Sequence, residues 1–135
     1  MTAVIRVAHL ATTAPTSPSG VAFSLFFDAN ETQYSLSALA SIDGFAFSIS
    51  NGSVTSGDNG GARGSFDLSR SEVRVHAPVS FSEDLRSGVR FMNIAVVSFR
   101  NFHNHVTGGP AVQADTATTS RTYLAGRGGC VAPGR

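Results

Sequence analysis

The sequence predicts a single all-β domain, an antiparallel β-sandwich or a small β-barrel of about six to eight strands. Three observations lead to this prediction. Apolar and polar residues alternate along several short segments, turn residues such as Gly, Asn and Ser separate these segments, and charged residues make up only 14% of the chain. A chain of 135 residues has the length of one domain and shows no fixed-period repeat, so residues 1–135 are treated as one unit.

The first third of the chain predicts strands separated by an extended connection. AVIRVAHL at 3–10 is a short apolar strand, and the Pro/Ser/Thr-rich segment ATTAPTSPSG follows it, so residues 1–19 form an N-terminal strand and arm. VAFSLFFD at 21–28 is apolar on both faces up to Phe27, which is typical of a fully buried strand. TQYSLSALAS at 32–41 has apolar residues at mixed spacing, and it is the one segment that could form a short helix.

The segment FAFSISNGSVTS at 45–56 alternates apolar and polar residues and predicts a strand that ends in a tight turn. The turn is placed at Asn51-Gly52, because both central residues of a two-residue hairpin must adopt positive φ and this pair does so readily. The next stretch, GDNGGARG at 57–64, is rich in glycine and predicts a flexible loop.

The second half of the chain has the clearest strand pattern. In EVRVHAPVSF at 72–81 every second residue is apolar, and the buried face contains Val73, Val75, Ala77, Val79 and Phe81. The polar residues of the segment define an exposed face, which contains Glu72, Arg74 and His76. The turn SEDLRSG at 82–88 predicts that this strand pairs with VRFMNIAVVSFRNF at 89–102, a central strand whose core residues are Phe91, Ile94 and Val96.

Apolar residues change face within the long segment at 89–102. The parity that places Phe99 on the buried face also carries Asn101, whereas Phe102 falls on the other face. This change predicts a β-bulge, or the end of the buried strand, near Arg100.

Residues 106–135 form a Gly-rich C-terminal arm, in which RTYL at 121–124 is the last strand candidate. Cys130 is the single cysteine, so no disulfide can form within the chain. No apolar run approaches the ~20 residues that span a bilayer, and no signal peptide is evident. We therefore expect a location in the cytoplasm or in a virion.

The charge balance excludes several partners. The formal net charge is +1 and the two signs are interspersed, so the basic surface that binds nucleic acid is absent. Charged residues are replaced by Ser, Thr, Gly, Ala and Asn, a composition typical of β proteins and of subunits whose surface is covered by neighbours. We expect a homo-oligomer or neighbours in an assembly, with no nucleic acid and no membrane as partners.

Two of the four histidines, His103 and His105, lie one residue apart. Residues two apart on a strand point to the same face, so the pair are candidate metal ligands. Zinc catalysis needs a third protein ligand, but His76 lies roughly 30 Å from His103 in the predicted hairpin register. Whether His9 approaches stays open. The pair is therefore interpreted as the polar end of a strand, with a ligand pocket and a metal site as the alternatives, and no cofactor is expected.

The chain has ten Phe residues and no Trp. Phe residues in predicted strands form either a plain core or the lining of an apolar ligand cavity. The candidate pocket residues are Phe23, Phe27, Phe45, Phe47, Phe91 and Phe99.

The segment GGARGSF at 60–66 resembles the Gly-rich turn and strand of allene-oxide-cyclase-like and dirigent barrels. It covers about a twentieth of the chain. In those families the motif lies near the C-terminus, whereas about seventy residues follow it here. The resemblance implies a small barrel that binds an apolar substrate and guides its cyclisation with polar pocket residues.

Two functions are compatible with these patterns. The first is a non-enzymatic β subunit that acts by self-association or by docking in a larger assembly, such as a virion, tail or filament. It fits the low charge and the lack of a Gly-x-Ser-x-Gly elbow or a phosphate loop with Lys. The alternative is a small β-barrel that binds an apolar small molecule, a cyclase or isomerase of a biosynthetic pathway without a metal or nucleotide cofactor. The sequence favours the first, and a Phe-lined cavity would favour the second.

Overall fold

The computed structural model is a β-sandwich of two antiparallel sheets, which confirms the predicted all-β class and selects the sandwich. It describes residues 1–7, 10, 20–41, 44–51, 59–102, 112–125 and 130–131. Its strands are β1 (Thr2–Arg6), β2 (Gly20–Ala29), β3 (Thr32–Ser41), β4 (Gly44–Ser50), β5 (Arg63–Asp67), β6 (Glu72–His76), β7 (Arg90–Phe102), β8 (Val112–Thr119), β9 (Thr122–Leu124) and β10 (Cys130–Val131).

The small sheet has the strand order β1-β6-β5, and the large sheet has the order β10-β9-β7-β2-β3-β4, with β8 also paired to β7. Strand β4 is therefore one edge of the large sheet, and β5 is one edge of the small sheet. The two edges contact each other across the sandwich, as do β6 and β3. One side of the sandwich is thus bounded by two edge strands. No helix among the described residues has the length and apolarity needed to cross a membrane.

The segment at 32–41 is strand β3, so the predicted short helix is wrong. Strand β2 turns into β3 through Asn30 (φ 47°) and Glu31 (φ 68°), a two-residue hairpin turn with positive φ at both positions. Alternate residues such as Tyr34 and Leu36 are buried, because β3 lies between β2 and β4 and places one face on the core. Pairing on both sides determines the conformation of this segment more strongly than its local helix pattern.

The predicted strand at the start of 45–56 is confirmed as β4, which pairs with β3. The proposed turn is at the limit of the described residues, because Asn51 is described and Gly52 is not. The next described strand, β5, belongs to the other sheet. Strand β5 also begins at Arg63, inside the segment 57–64 that was predicted to be a loop.

The prediction that residues 72–81 and 89–99 are adjacent strands is wrong. Strand β6 ends at His76 and pairs with β1 and β5, whereas β7 pairs with β2, β8 and β9. Pro78 has no N–H for a sheet ladder, and two short 3-10 turns at Val79–Phe81 and Glu83–Leu85 carry the chain from the small sheet to the large one. Consequently Val79 is 55% exposed instead of buried.

The predicted core is confirmed in part. Val73, Val75 and Ala77 are fully buried between the sheets, and Phe91 is buried as well. The other predicted core residues are half-buried, and these are Phe81, Ile94 and Val96. Glu72 was predicted to be exposed and is buried, because Arg6 and Arg74 extend over its carboxylate.

Strand β7 is central, as predicted, and it contains the predicted bulge near Arg100. Gly20 pairs with Phe102 and Val21 pairs with Arg100, so Asn101 is the extra residue. The predicted strand at 121–124 is confirmed as β9, which pairs with β7. Strand β8, within the segment described above as a C-terminal arm, was not foreseen, since its sequence VQADTATT lacks apolar alternation.

Candidate interaction surface

Five of the six candidate pocket residues lie on the inner face of the large sheet, and Phe99 lies on the outer face. The pairing register shows this separation, because Phe99 is opposite Ala22 whereas Phe23, one residue further along β2, faces the small sheet. The five inner residues do not form one group. They divide between a buried aromatic cluster and an exposed aromatic cluster.

The buried aromatic cluster fills one end of the sandwich, and its members are Phe27, Tyr34, Phe81, Phe91 and Tyr123. The ring centroids of Phe27 and Phe91 are 4.6 Å apart, and those of Phe27 and Tyr34 are 5.4 Å apart. Tyr123 stacks on Phe91 at 5.7 Å. These rings are in direct contact, so they pack as solid core.

The exposed aromatic cluster, named for Phe45, lies at the side of the sandwich bounded by β4 and β5. Its other members are Phe47 and Phe66, which are half-buried, and Phe23, which is buried. Phe66, on β5, is at its centre. The ring of Phe45 stacks on Phe66 at 4.6 Å, Phe47 lies at 5.8 Å and Phe23 at 6.2 Å. Phe45 is nevertheless 61% exposed. A large apolar ring held in place by a neighbour yet facing solvent is typical of a contact surface.

Gly64 makes the close approach of the two edge strands possible. A Cβ atom at this position would contact the carbonyl oxygen of Arg74 and lie 2.6 Å from the ring of Phe47. Phe47 therefore lies over the backbone of β5, where only glycine fits. The Gly-rich segment at 60–66 thus has a packing role at the edge of a sandwich, and the barrel fold that its resemblance implied is not the fold of this chain.

The outward backbone groups of β4 follow from its pairing. The N–H of Ile49 donates to the carbonyl of Asn59 at 3.1 Å, so the backbone N–H and C=O of Ile49 point away from β3. In an antiparallel ladder the N–H and C=O of one residue point to the same side and alternate along the strand. The backbone N–H and C=O of Phe45 and Phe47 therefore also point away from β3, and within the described residues these groups have no partner. Strand β4, with the sequence GFAFSIS, contains neither a charge nor a proline to protect this edge.

The outer faces of the two sheets differ in charge. On the small sheet Glu72 accepts hydrogen bonds from Arg6 at 2.9 Å and from Arg74 at 2.8 Å, and these two guanidinium groups lower the pKa of its carboxyl. On the large sheet, the centre of the outer face has no charged residue among strands β2, β3, β4 and β7. Ser24 and Ser37 are hydrogen bonded there at 2.8 Å.

A polar network closes the end of the sandwich beside the buried aromatic cluster. The Tyr34 hydroxyl donates to Oδ2 of Asp84 at 2.6 Å and lies 2.8 Å from Oγ of Ser82, and Asn30 donates to Oδ1 of Asp84 at 2.9 Å. Burial, and then the hydrogen bond to Asp84, raises the pKa of Tyr34. The same bond, and then Asn30, lowers the pKa of Asp84. The network joins the β2–β3 turn to the 3-10 turn at Glu83–Leu85. Tyr34 is only 1% exposed, so its hydroxyl is not available to react with a molecule in solution.

Of the four histidines, His76 is the one that lies among the described residues. His103, His105 and His9 lie outside the described residues. His76 lies 3.0 Å from the Thr2 hydroxyl through Nδ1, and burial, followed by the positive charges of the N-terminus and Arg63, lowers its pKa. The part of the chain that the structure describes contains no group of three His, Cys, Asp or Glu side chains that could hold a metal ion.

Comparison with known proteins adds no relative. No protein-family model matches the chain, and no curated protein or solved structure matches it either. The sequence patterns had identified Phe45 and Phe47 but not Phe66, which follows the predicted loop. The signal that could have found it is GSFD directly before a β-turn and the strong strand at 72–76, a pattern typical of a hairpin partner.

Proposed function

We propose that this protein is a non-enzymatic β-sandwich subunit that acts by self-association within a larger assembly, such as a virion, tail or filament. The observation that carries the proposal is the exposed aromatic cluster beside the edge of β4, a strand that contains no charge and no proline. Phe45 combines high exposure with a fixed orientation, since its ring stacks on Phe66. Burying such a ring in a contact gains free energy and loses little side-chain entropy.

The edge strand gives the contact its direction. An unpaired edge presents a row of N–H and C=O groups that another strand can join, and proteins that stay monomeric usually place a charge, a proline or a cover on such an edge. Strand β4 lacks the first two. The uncharged centre of the outer face of the large sheet supports the same proposal, because a subunit covered by neighbours does not need charge for solubility there.

The alternative, an apolar ligand inside a Phe-lined cavity, is less well supported by the packing. Phe27 and Phe91 contact each other directly, which leaves no room for a ligand between them. Phe45 is 61% exposed, so a small molecule bound against its ring would remain partly in water. A flat aromatic edge is better suited to another protein surface than to an enclosed substrate.

Sedimentation velocity of the purified protein over a range of concentrations tests this proposal. We expect a concentration-dependent oligomer, and Phe45→Ser should weaken its association about tenfold or more, because an aromatic anchor is lost. Met92→Ser is the matched control: Met92 is 42% exposed but lies on β7, which β2 and β3 separate from β4 in the large sheet. Its association should equal that of the wild type. A wild-type protein that stays monomeric at every concentration, or equal effects of both variants, would overturn the proposal.

A further inference from the structure

We infer that the partner at this edge is a second copy of the chain, joined through antiparallel pairing of β4 with β4 about a two-fold axis at Ala46. The inference rests on the proposed self-association and specifies its geometry. The large sheets of the two copies would become one continuous sheet, with the exposed aromatic clusters of both copies side by side on the inner face.

The register follows from which backbone groups are available. The backbone N–H and C=O groups of Phe45 and Phe47 point away from β3. Those of Ile49 do so as well, but its N–H already donates to Asn59. A two-fold axis at Ala46 places Phe45 of each copy opposite Phe47 of the other. All four residues then exchange both of their backbone hydrogen bonds, as in the closely spaced pairs of an antiparallel ladder. An axis shifted to Phe47 would place Phe45 opposite Ile49, whose N–H already donates to Asn59, and would leave part of these groups unpaired.

The side chains agree with this register. Phe45 and Phe47 lie on the same face of β4, so each Phe45 ring would meet a Phe47 ring of the second copy at the spacing of directly opposed residues. The small side chain of Ala46 lies on the other face, where the axis brings it next to its own copy. A symmetric contact of this kind places identical surfaces together, and β4 has no charge that would repel its copy.

A second copy fits this edge better than an unrelated peptide. The same two residues supply every donor and every acceptor on both sides of the contact, so the edge is complementary to itself. An edge that selects a peptide of different chemistry would need a charged or polar pocket beside the strand. Beside the edge of β4, the inner face is lined by the rings of Phe45, Phe47 and Phe66.

Disulfide formation at the axis tests the register. In a Cys130→Ser background the only thiol is the one introduced, as the chain has a single cysteine. In Ala46→Cys the two Cα atoms would lie about 4.5 Å apart, within the range of about 4.4–6.8 Å that a disulfide requires. Ser48→Cys is the matched control on the same face of the same strand. Its two copies would lie about 13 Å apart along the strands in this register, too far for a bond.

Mild oxidation should convert Ala46→Cys to a covalent dimer and leave Ser48→Cys largely monomeric on non-reducing gels. Adding Phe45→Ser to Ala46→Cys should abolish the covalent dimer. Equal cross-linking of both positions would overturn the register and leave the proposed function intact. The same conclusion would follow if Ala46→Cys did not cross-link while sedimentation still showed an oligomer that Phe45→Ser disrupts. A protein that forms no oligomer at all would overturn both.

Discussion

The two aromatic clusters contain similar residues but differ in their surroundings. In the buried cluster the rings of Phe27, Tyr34 and Phe91 are at most 3% exposed, and the Tyr34 hydroxyl is hydrogen bonded to Asp84 and Ser82. In the exposed cluster Phe45 stacks equally closely on Phe66 yet remains open to solvent. The comparison shows that ring–ring contact alone does not identify core. Position relative to the edges of the sheets separates residues that stabilise the fold from residues available for contact.

The largest expected difference between the clusters concerns stability. Phe91→Ala should lower the free energy of unfolding by about 3–5 kcal/mol, since it removes a buried ring and leaves a cavity. Chemical denaturation followed by circular dichroism measures this loss. A variant whose unfolding midpoint is close to that of the wild type would show that the buried cluster is not the core of the sandwich.

Gly64→Ala should have the next largest effect, about 1–3 kcal/mol, because its Cβ atom would overlap the Phe47 ring and the backbone of β6. Ser65→Ala, the adjacent and exposed position on β5, is the control and should be close to neutral. Thermal unfolding of the two variants compares them directly. Equal stability would mean that β5 and β4 are not held as closely as the structure shows, and the exposed cluster would lose its support.

The pH dependence of stability should come partly from the polar network beside the buried aromatic cluster. The pKa of Asp84 is lowered by its hydrogen bonds from Tyr34 and Asn30, so the ionised form stabilises the folded state above the unfolded pKa. This contribution is lost as the pH falls below about 4 and Asp84 takes up a proton. In Asp84→Asn, urea unfolding at a series of pH values should give a shallower loss of stability on acidification. An unchanged slope would remove Asp84 from this role, whereas Glu72 should retain its own dependence because its pKa is also lowered.

Phe45→Ala should have the smallest effect on the fold. Most of the ring is already in water, so the free energy of unfolding of the monomer should change by about 1 kcal/mol or less. Denaturation at a concentration below that of association isolates this term. A loss as large as that of Phe91→Ala would place Phe45 in the core and remove the distinction between the clusters.

The sequence predicted the local features of this fold better than its long-range pairing. The β2 strand, the central β7 strand and the bulge near Arg100 follow from periodicity, which depends on neighbouring residues along the chain. The separation of β6 from β7 does not, because whether a turn makes a hairpin or crosses between sheets depends on packing that no local pattern records. Glu72 illustrates the same limit, since its burial results from Arg6, which is distant in sequence.

The candidate surface was predictable only in part, for the same reason. The candidate Phe residues were evident as a group, but their division between the buried aromatic cluster and the exposed aromatic cluster depends on the order of the strands. Phe66 became part of the surface only through the contact of β5 with β4. His103 and His105, the most conspicuous polar pair in the sequence, lie outside the described residues, and their interpretation as the polar end of a strand stays a prediction.

Amide hydrogen exchange along β4 tests most directly whether this edge joins a second copy. Ala46 and Ser48 face β3 and should be protected at every protein concentration, so they serve as internal controls. The amides of Phe45 and Phe47 point outward, and their exchange should slow as the concentration is raised and the oligomer forms. The contradicting result is unchanged exchange: both amides exchange at the rate of the dilute monomer even at concentrations where sedimentation shows an oligomer. In that case the edge of β4 is not the site of self-association.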